Sequence, residues 1–360
     1  MIDSQSFERL RSIGLTPAVI QELVALRHLC TEPALMRVTE VQREGISLHD
    51  GITEHPARLL PALRAMLAAD GEAIAVGDWV LAQRNGLAEW WAHERVPPVN
   101  QLARRLHDGR DKVMRAVIVS NVDTALLVMG LDHDFSLRRP ERFVALVQMA
   151  RVMPLVVLTK ADLCNDTATR VAQVQALLPR EAAVVAVNAL AGDTRQALAP
   201  WLQRGQTLVL LGSSGTGKST LTNTLMDSAV AVTGANRSGD NRGRHTTTAR
   251  SLHATPQGAC IIDTPGLRTL RLDGEASELG VAFSDIAQLA GQCRFRDCRH
   301  QDEPGCAVRQ QVPPERLKNY NKLQREASRD SLTALQRKAQ VQQWKARGRQ
   351  ARVRAEIKRG

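Results

Sequence analysis

Eight residues, Gly212-Ser213-Ser214-Gly215-Thr216-Gly217-Lys218-Ser219, fit the phosphate-binding spacing G-x-x-x-x-G-K-[ST]. Glycines at this spacing let backbone N–H groups curl around phosphate oxygens, and a following helix N-terminus adds partial positive charge. In that chemistry Lys218 reaches the β- and γ-phosphates, and Ser219, with Thr220 beside it, ligates Mg2+. About 45 residues on, a short apolar strand ending in Ile261 and Ile262 runs into Asp263-Thr264-Pro265-Gly266. There Asp263 can hold Mg2+ through water, and the Gly266 N–H can meet a γ-phosphate.

A base reader is also present. Thr159-Lys160-Ala161-Asp162 fits [NT]-K-x-D, in which the carboxylate accepts two hydrogen bonds from guanine N1–H and N2–H2 that adenine cannot supply. The Lys160 stem can cover the flat base. Asn188 and Ala189, after the next strand, fit the loop whose backbone touches guanine O6. The order is unusual: the base reader lies about fifty residues before the phosphate loop instead of after it.

Between the phosphate loop and Asp263 lies Gly243-Arg244-His245-Thr246-Thr247-Thr248, in a Gly- and Asn-rich stretch suited to a switch ordered by GTP and released on hydrolysis. A threonine of this run, Thr247 among the candidates, could close on Mg2+ and the γ-phosphate, and His245 is a candidate to position the attacking water. Leu267 follows Gly266 and cannot orient water as a glutamine would, so slow intrinsic turnover is expected.

Cys293-x4-Cys298-x-His300-x5-Cys306 puts three thiolates and an imidazole within fourteen residues. That donor set suits a closed, tetrahedral, structural Zn2+. The surrounding residues are too polar for a core, so metal would hold together a unit short of apolar side chains.

The elements that must carry these groups follow from periodicity. Residues 1 to 33 look helical. From 35 to 115, short apolar runs (35–41, 45–48, 73–83, 86–93 and 116–120) separated by Asp50-Gly51, Asp70-Gly71 and Asn85-Gly86 suggest a small β-barrel, with 61–69 a helical insertion. From 121 to 226 strands (125–129, 155–158, 183–187, 207–211) alternate with helices (140–150, 168–178, 194–202, 218–226). This pattern predicts a parallel sheet with helices on both faces.

The net charge of +11 on 360 residues implies a polyanionic partner. Residues 337–360 carry nine basic side chains against Glu356 alone, most of the chain's excess charge, and such an arm suits a polyanion. No run approaches the roughly 18–20 apolar residues of a membrane span, and the N-terminus is not a secretory signal, so a cytoplasmic protein is expected.

The motif order, Gly243-Arg244-His245-Thr246-Thr247-Thr248, Asp263-Thr264-Pro265-Gly266 and the Cys/His cluster together resemble the circularly permuted, ribosome-dependent GTPases of the small ribosomal subunit biogenesis type (RsgA). The resemblance spans roughly residues 35 to 330. It implies a multidomain α/β chain: an N-terminal helical extension (1–34), an OB-fold RNA-binding barrel (35–115), a circularly permuted P-loop GTPase domain (116–272), a helical zinc-binding domain (273–333) and a basic tail (334–360). It further implies GTP/GDP, Mg2+ and one Zn2+ as ligands, and the 30S subunit and its 16S rRNA as partners of a monomer. Because the chain after Gly266 leads directly to the Cys/His segment, a change at the γ-phosphate would have a short covalent path to it. Two departures stand out: the helical insertion at 61–69, and few exposed aromatics for base stacking on the barrel. A P-loop ATPase or small-molecule kinase, and an RNA-binding protein with nucleotide as a structural ligand, remain alternatives on sequence alone.

Overall fold

Thr16 and Pro17 are helix-start signals, and α2 (Pro17–Ala25) begins there with Thr16 Oγ1 accepting the Val19 N–H, after α1 (Ser4–Arg11). The structure, a computed structural model, describes residues 4–26, 33–107, 113–179, 182–227, 250–264 and 279–330. Of the sequence expectations, His245, Thr247, Gly266, Leu267 and the basic tail lie outside the described residues.

Strands β1 (Ala34–Val41), β2 (Ile46–His49), β3 (Glu54–Leu59), β4 (Trp79–Arg84) and β5 (Trp90–Arg95) pair in the order β1-β2-β3-β5-β4, and β4 returns to β1. Closure leaves no strand edge unpaired. The interior holds Met36, Val38, Ile46, Leu48, Val80 and Ala92. Helix α3 (Pro61–Ala69), between β3 and β4, adds Leu63 and Leu67 to the same cluster. Spaced four apart, these two side chains share a helix face, so the segment read as an insertion is part of the barrel core. The run 116–120, read as a strand, belongs to β7 (Val113–Ser120), which pairs with β6 (Gln101–His107) as a separate two-stranded sheet. Beside the barrel, β7 makes an isolated bridge from Val119 to Val76.

The second sheet comprises β8 (Thr124–Gly130), β9 (Met153–Thr159), β10 (Ala183–Ala186), β11 (Thr207–Leu211), β12 (Ser251–Ala254) and β13 (Cys260–Asp263), in the order β10-β9-β8-β11-β13-β12. All pairs are parallel except β12–β13. Strands β8 and β11 are buried along their whole length, as expected of strands covered on both faces. Helices α4 (Arg138–Met149), α5 (Thr167–Leu177), α6 (Thr194–Leu198) and α7 (Lys218–Met226) connect them. The register pair Glu40–Ser251 joins β1 to β12, so barrel and second sheet are continuous.

A buried arginine reinforces that junction. Arg37, on β1, donates to Ile13 O, to Thr207 Oγ1 at 2.9 Å and to Asn121 O at 3.0 Å, tying the N-terminal segment and β11 to the barrel. A Cβ on Gly14, which has a φ of +89°, would lie 1.8 Å from the Arg37 guanidinium, so only glycine allows this approach.

The chain divides into two compact units, Met1–Arg104 with Arg115–Arg271, and Arg105–Met114 with Leu272–Gly360. The described part of the second is mainly helical: α8 (Leu279–Ala282), α9 (Ser284–Ala290), α10 (Ala307–Gln311) and α11 (Pro314–Asp330). Its apolar interior is small, built from Leu279, Phe283, Ile286, Val308, Val312, Leu317 and Leu323. Among the described residues no helix is long and apolar enough to cross a membrane.

Candidate functional site

The phosphate loop connects β11 directly to α7, so its backbone N–H groups converge at a helix N-terminus beside the carboxyl ends of β8, β9 and β13. Gly215 and Gly217 take φ values of +82° and +86°, which the loop's curl requires. At Gly212 a Cβ would sit 2.3 Å from the Val128 carbonyl oxygen, so the loop starts where two strands touch. The Lys218 ammonium donates to Gly212 O at 2.9 Å and Ser213 O at 2.5 Å. Thr216 donates to Ser213 O at 3.0 Å and is fully buried. Ser214 is exposed, and Ser219 and Thr220 lie half-buried in the first turn of α7.

The base-reading segment meets this loop from β9. Thr159, also fully buried, donates to Thr216 O at 2.6 Å. Any nucleotide contact from Thr159 or Thr216 is therefore through backbone. Lys160 occupies the left-handed region at φ +60°, a costly conformation for a non-glycine that is held by its surroundings. Its ammonium donates to Gly215 O at 2.8 Å and to Asp132 Oδ2 at 2.5 Å. Asp162 lies in the 3-10 turn Ala161–Leu163 and is exposed, free to accept from a base. Asn188 Oδ1 accepts the Leu190 N–H at 3.0 Å, and Ala189 O accepts Thr224 Oγ1 of α7 at 2.6 Å. The strand order thus brings the expected base reader and phosphate loop together despite their inverted order in the chain.

Asp263 ends β13, next to β11. Burial pushes its carboxyl up, opposed by His253 and Lys218, so the two ends of the predicted phosphate site feel one another. Burial likewise lowers His253, whose Nε2 is 2.8 Å from Ser251 Oγ. The partner of Thr264 is Leu210 O at 2.8 Å. Hard oxygen donors from Ser219 and Asp263 on neighbouring elements fit Mg2+.

In the second unit, the donor atoms of Cys293, Cys298, His300 and Cys306 all lie within 4.8 Å of one another. Cys293 Sγ is 3.9 Å from Cys306 Sγ and 3.7 Å from His300 Nδ1. Zinc–sulfur bonds of about 2.3 Å in a tetrahedron require sulfurs roughly 3.8 Å apart, so the cluster is compatible with zinc. The Arg309 N–H points at Cys306 Sγ (3.5 Å), an outer hydrogen bond of the kind that orients thiolate ligands.

Sequence reasoning missed two features. Asp132, in the turn after β8, partners the base-reading lysine; its signal was a carboxylate at the carboxyl end of a parallel strand, where such sheets place ligands. On the barrel, Trp90 and Trp91 are both partly exposed, with Arg84 4.8 Å above one ring and Arg58 5.9 Å above the other. Neither ring is fully exposed, in keeping with the few exposed aromatics expected on the barrel.

Known proteins agree with this geometry. The RsgA GTPase family model matches residues 97–273. The small ribosomal subunit biogenesis GTPase RsgA of Xylella fastidiosa (strain M23) is 44% identical over 313 residues, 85% of this chain and 91% of the relative. That of Xanthomonas campestris pv. campestris (strain B100) is 42% identical over 323 residues, 87% of this chain and 86% of the relative. In fold, the chain is similar to YjeQ from Thermotoga maritima (TM-score 0.61, 23% identity, 82% of this chain and 98% of that one). It is also similar to YloQ, a circularly permuted GTPase (TM-score 0.59, 24% identity, 86% of this chain and 99% of that one). A phosphate loop met from the wrong end of the chain by its base reader, and a relationship running through nearly the whole length of these relatives, make this chain a member of the RsgA GTPase family and a GTP hydrolase.

Proposed function

We propose that the protein hydrolyses GTP to GDP and phosphate as a late maturation factor of the 30S ribosomal subunit, with turnover stimulated by the subunit. The observation that carries this reading is the 44% identity across 85% of the chain to a protein named as a small ribosomal subunit biogenesis GTPase. In this reading Lys218 binds the β- and γ-phosphates, Asp162 reads guanine, and Asn188 and Ala189 face O6. Ser219 and a switch threonine such as Thr247 would hold Mg2+, Asp263 would help hold it through water, and the Gly266 N–H would meet the γ-phosphate. When bound, Mg2+ would neutralise charge developing on the phosphates. His245 positions water in place of the glutamine that Leu267 replaces.

The nucleotide state would control binding to and release from 16S rRNA. Trp90 and Trp91 with their arginines offer stacking and charge on the barrel, and the tail 337–360 adds phosphate contacts. Cys293, Cys298, His300 and Cys306 would hold one structural Zn2+. The protein acts in the cytoplasm as a monomer. Hydrolysis of GTP and ATP, measured alone and with purified 30S subunits, tests the proposal. GTP turnover raised strongly by 30S particles is expected; equal turnover without them, or equal use of ATP, overturns it.

A further inference from the structure

The turn after β8 belongs to none of the motifs that define the nucleotide site, yet both its ends rest on the phosphate loop. At one end Lys160 Nζ is shared between Asp132 Oδ2 (2.5 Å) and Gly215 O (2.8 Å). The other Asp132 oxygen accepts the Asp134 N–H at 3.1 Å. Asp134 Oδ2 then accepts Arg139 Nη1 at 2.6 Å, and the same nitrogen lies 3.1 Å from Ser213 Oγ. The path starts at the fourth residue of the loop and returns to the second.

The turn itself is held in place. Arg170 of α5 stacks on Phe135 at 4.3 Å, and Phe135 N donates to Asp132 O at 3.1 Å. A Cβ on Gly130 would come within 2.6 Å of Asp132 Oδ1, so glycine gives this carboxylate its room. The two carboxylates lie side by side with a cation at each end: Lys160 pairs with Asp132 and Arg139 with Asp134. Each carboxylate fixes the direction of one cation that also touches the loop. Charge-assisted bonds of this kind constrain geometry more strongly than neutral ones.

We propose that Asp132 and Arg139 are positioning residues, which together lock the base-reading lysine and the phosphate loop into one preorganised unit. Neither need touch the nucleotide. Asp132 aims Lys160, Arg139 braces Ser213, and the loop meets GDP or GTP already shaped. The inference rests on the nucleotide lying between Asp162 and the phosphate loop.

The test uses the full-length chain, a fluorescent GDP analogue, and the variants Asp132→Asn, Arg139→Met, Arg139→Lys and Asp132→Asn/Arg139→Met. Each single loss is expected to weaken GDP and GTP binding alike, by about tenfold, leaving the preference for guanine over hypoxanthine unchanged. Arg139→Lys should recover to within about threefold of the parent, since a single ammonium can reach both Asp134 and Ser213. If the path works as a unit, the double variant should be no weaker than the weaker single variant, because contacts in one network are not additive. Losses that multiply, singles within twofold of the parent, or a changed base preference would overturn the proposal. Asp162→Ala is the separate control: GDP binding unaffected by it would instead refute the placement of the nucleotide.

Discussion

At the phosphate loop, the groups that meet are distant in the chain: Asp132, Lys160, Gly215 and Asp263 come from four segments brought side by side by parallel strands. In the Cys/His cluster all four donors fall between positions 293 and 306, and among the described residues their unit has few buried apolar side chains. The first arrangement is held by a deep core, with Leu126, Leu155, Leu208 and Ile261 fully buried beneath it. Under the proposed zinc ligation, the second depends on the metal. A polar site is robust where packing preorganises it, and conditional where a ligand must do so.

Metal removal separates the two most sharply. Chelation, or Cys306→Ala, should unfold the second unit, since structural zinc supplies on the order of 10 kcal/mol of folding free energy. Circular dichroism and limited proteolysis should show loss of helices within 279–330, with GDP binding kept within about threefold; retention of those helices would mean that the small core suffices. At the phosphate loop, Lys218→Ala should lower GTP turnover by about a hundredfold or more, roughly 3 kcal/mol of transition-state stabilisation, without shifting the melting temperature downward. Unchanged turnover would remove Lys218 from the reaction.

Gly212→Ala probes how tightly the loop's root is packed. With a Cβ 2.3 Å from Val128 O, a loss of about 2–4 kcal/mol is expected in denaturant unfolding. The smallest effect is a pH dependence. Burial pushes the Asp78 carboxyl up to about 6 from an ordinary 3.8. The folded state then binds the proton more tightly than the unfolded chain, so this group makes stability fall as pH rises from about 4 to 6. Asp78→Asn should flatten that slope, by ~1–3 kcal/mol across the window. An unchanged slope would mean that Arg95, 4.0 Å away, holds the carboxylate ionised.

Legibility varied with how locally each element is specified. Strand β11 and helix α7 match the sequence reading at both ends, 207–211 and 218–226, because the glycine loop punctuates them. Periodicity predicts one helix over 194–202, but Pro200 lacks an N–H and the chain turns to a 3-10 segment at Ala199–Trp201. Strand β3 escaped notice because only Ala57 is buried in Glu54–Leu59 and Pro56 interrupts it; β2 and β5 on either side make it a strand. Strand β12 is short and half polar, and its pairing with β13 and β1 comes from the sheet.

Residue types and spacing were enough to name the phosphate loop, the base reader and the Cys/His donors, because each of those chemistries demands particular atoms within a few positions. The sequence also carried the inverted order of the motifs, and with it the family resemblance. Tertiary structure alone decided that α3 completes the barrel, that Arg37 is buried at the junction of barrel and sheet, and that Asp132 partners Lys160 while Arg139 reaches the phosphate loop. Those contacts join residues up to 170 positions apart, so their partners are chosen by strand order and packing, which no local pattern encodes.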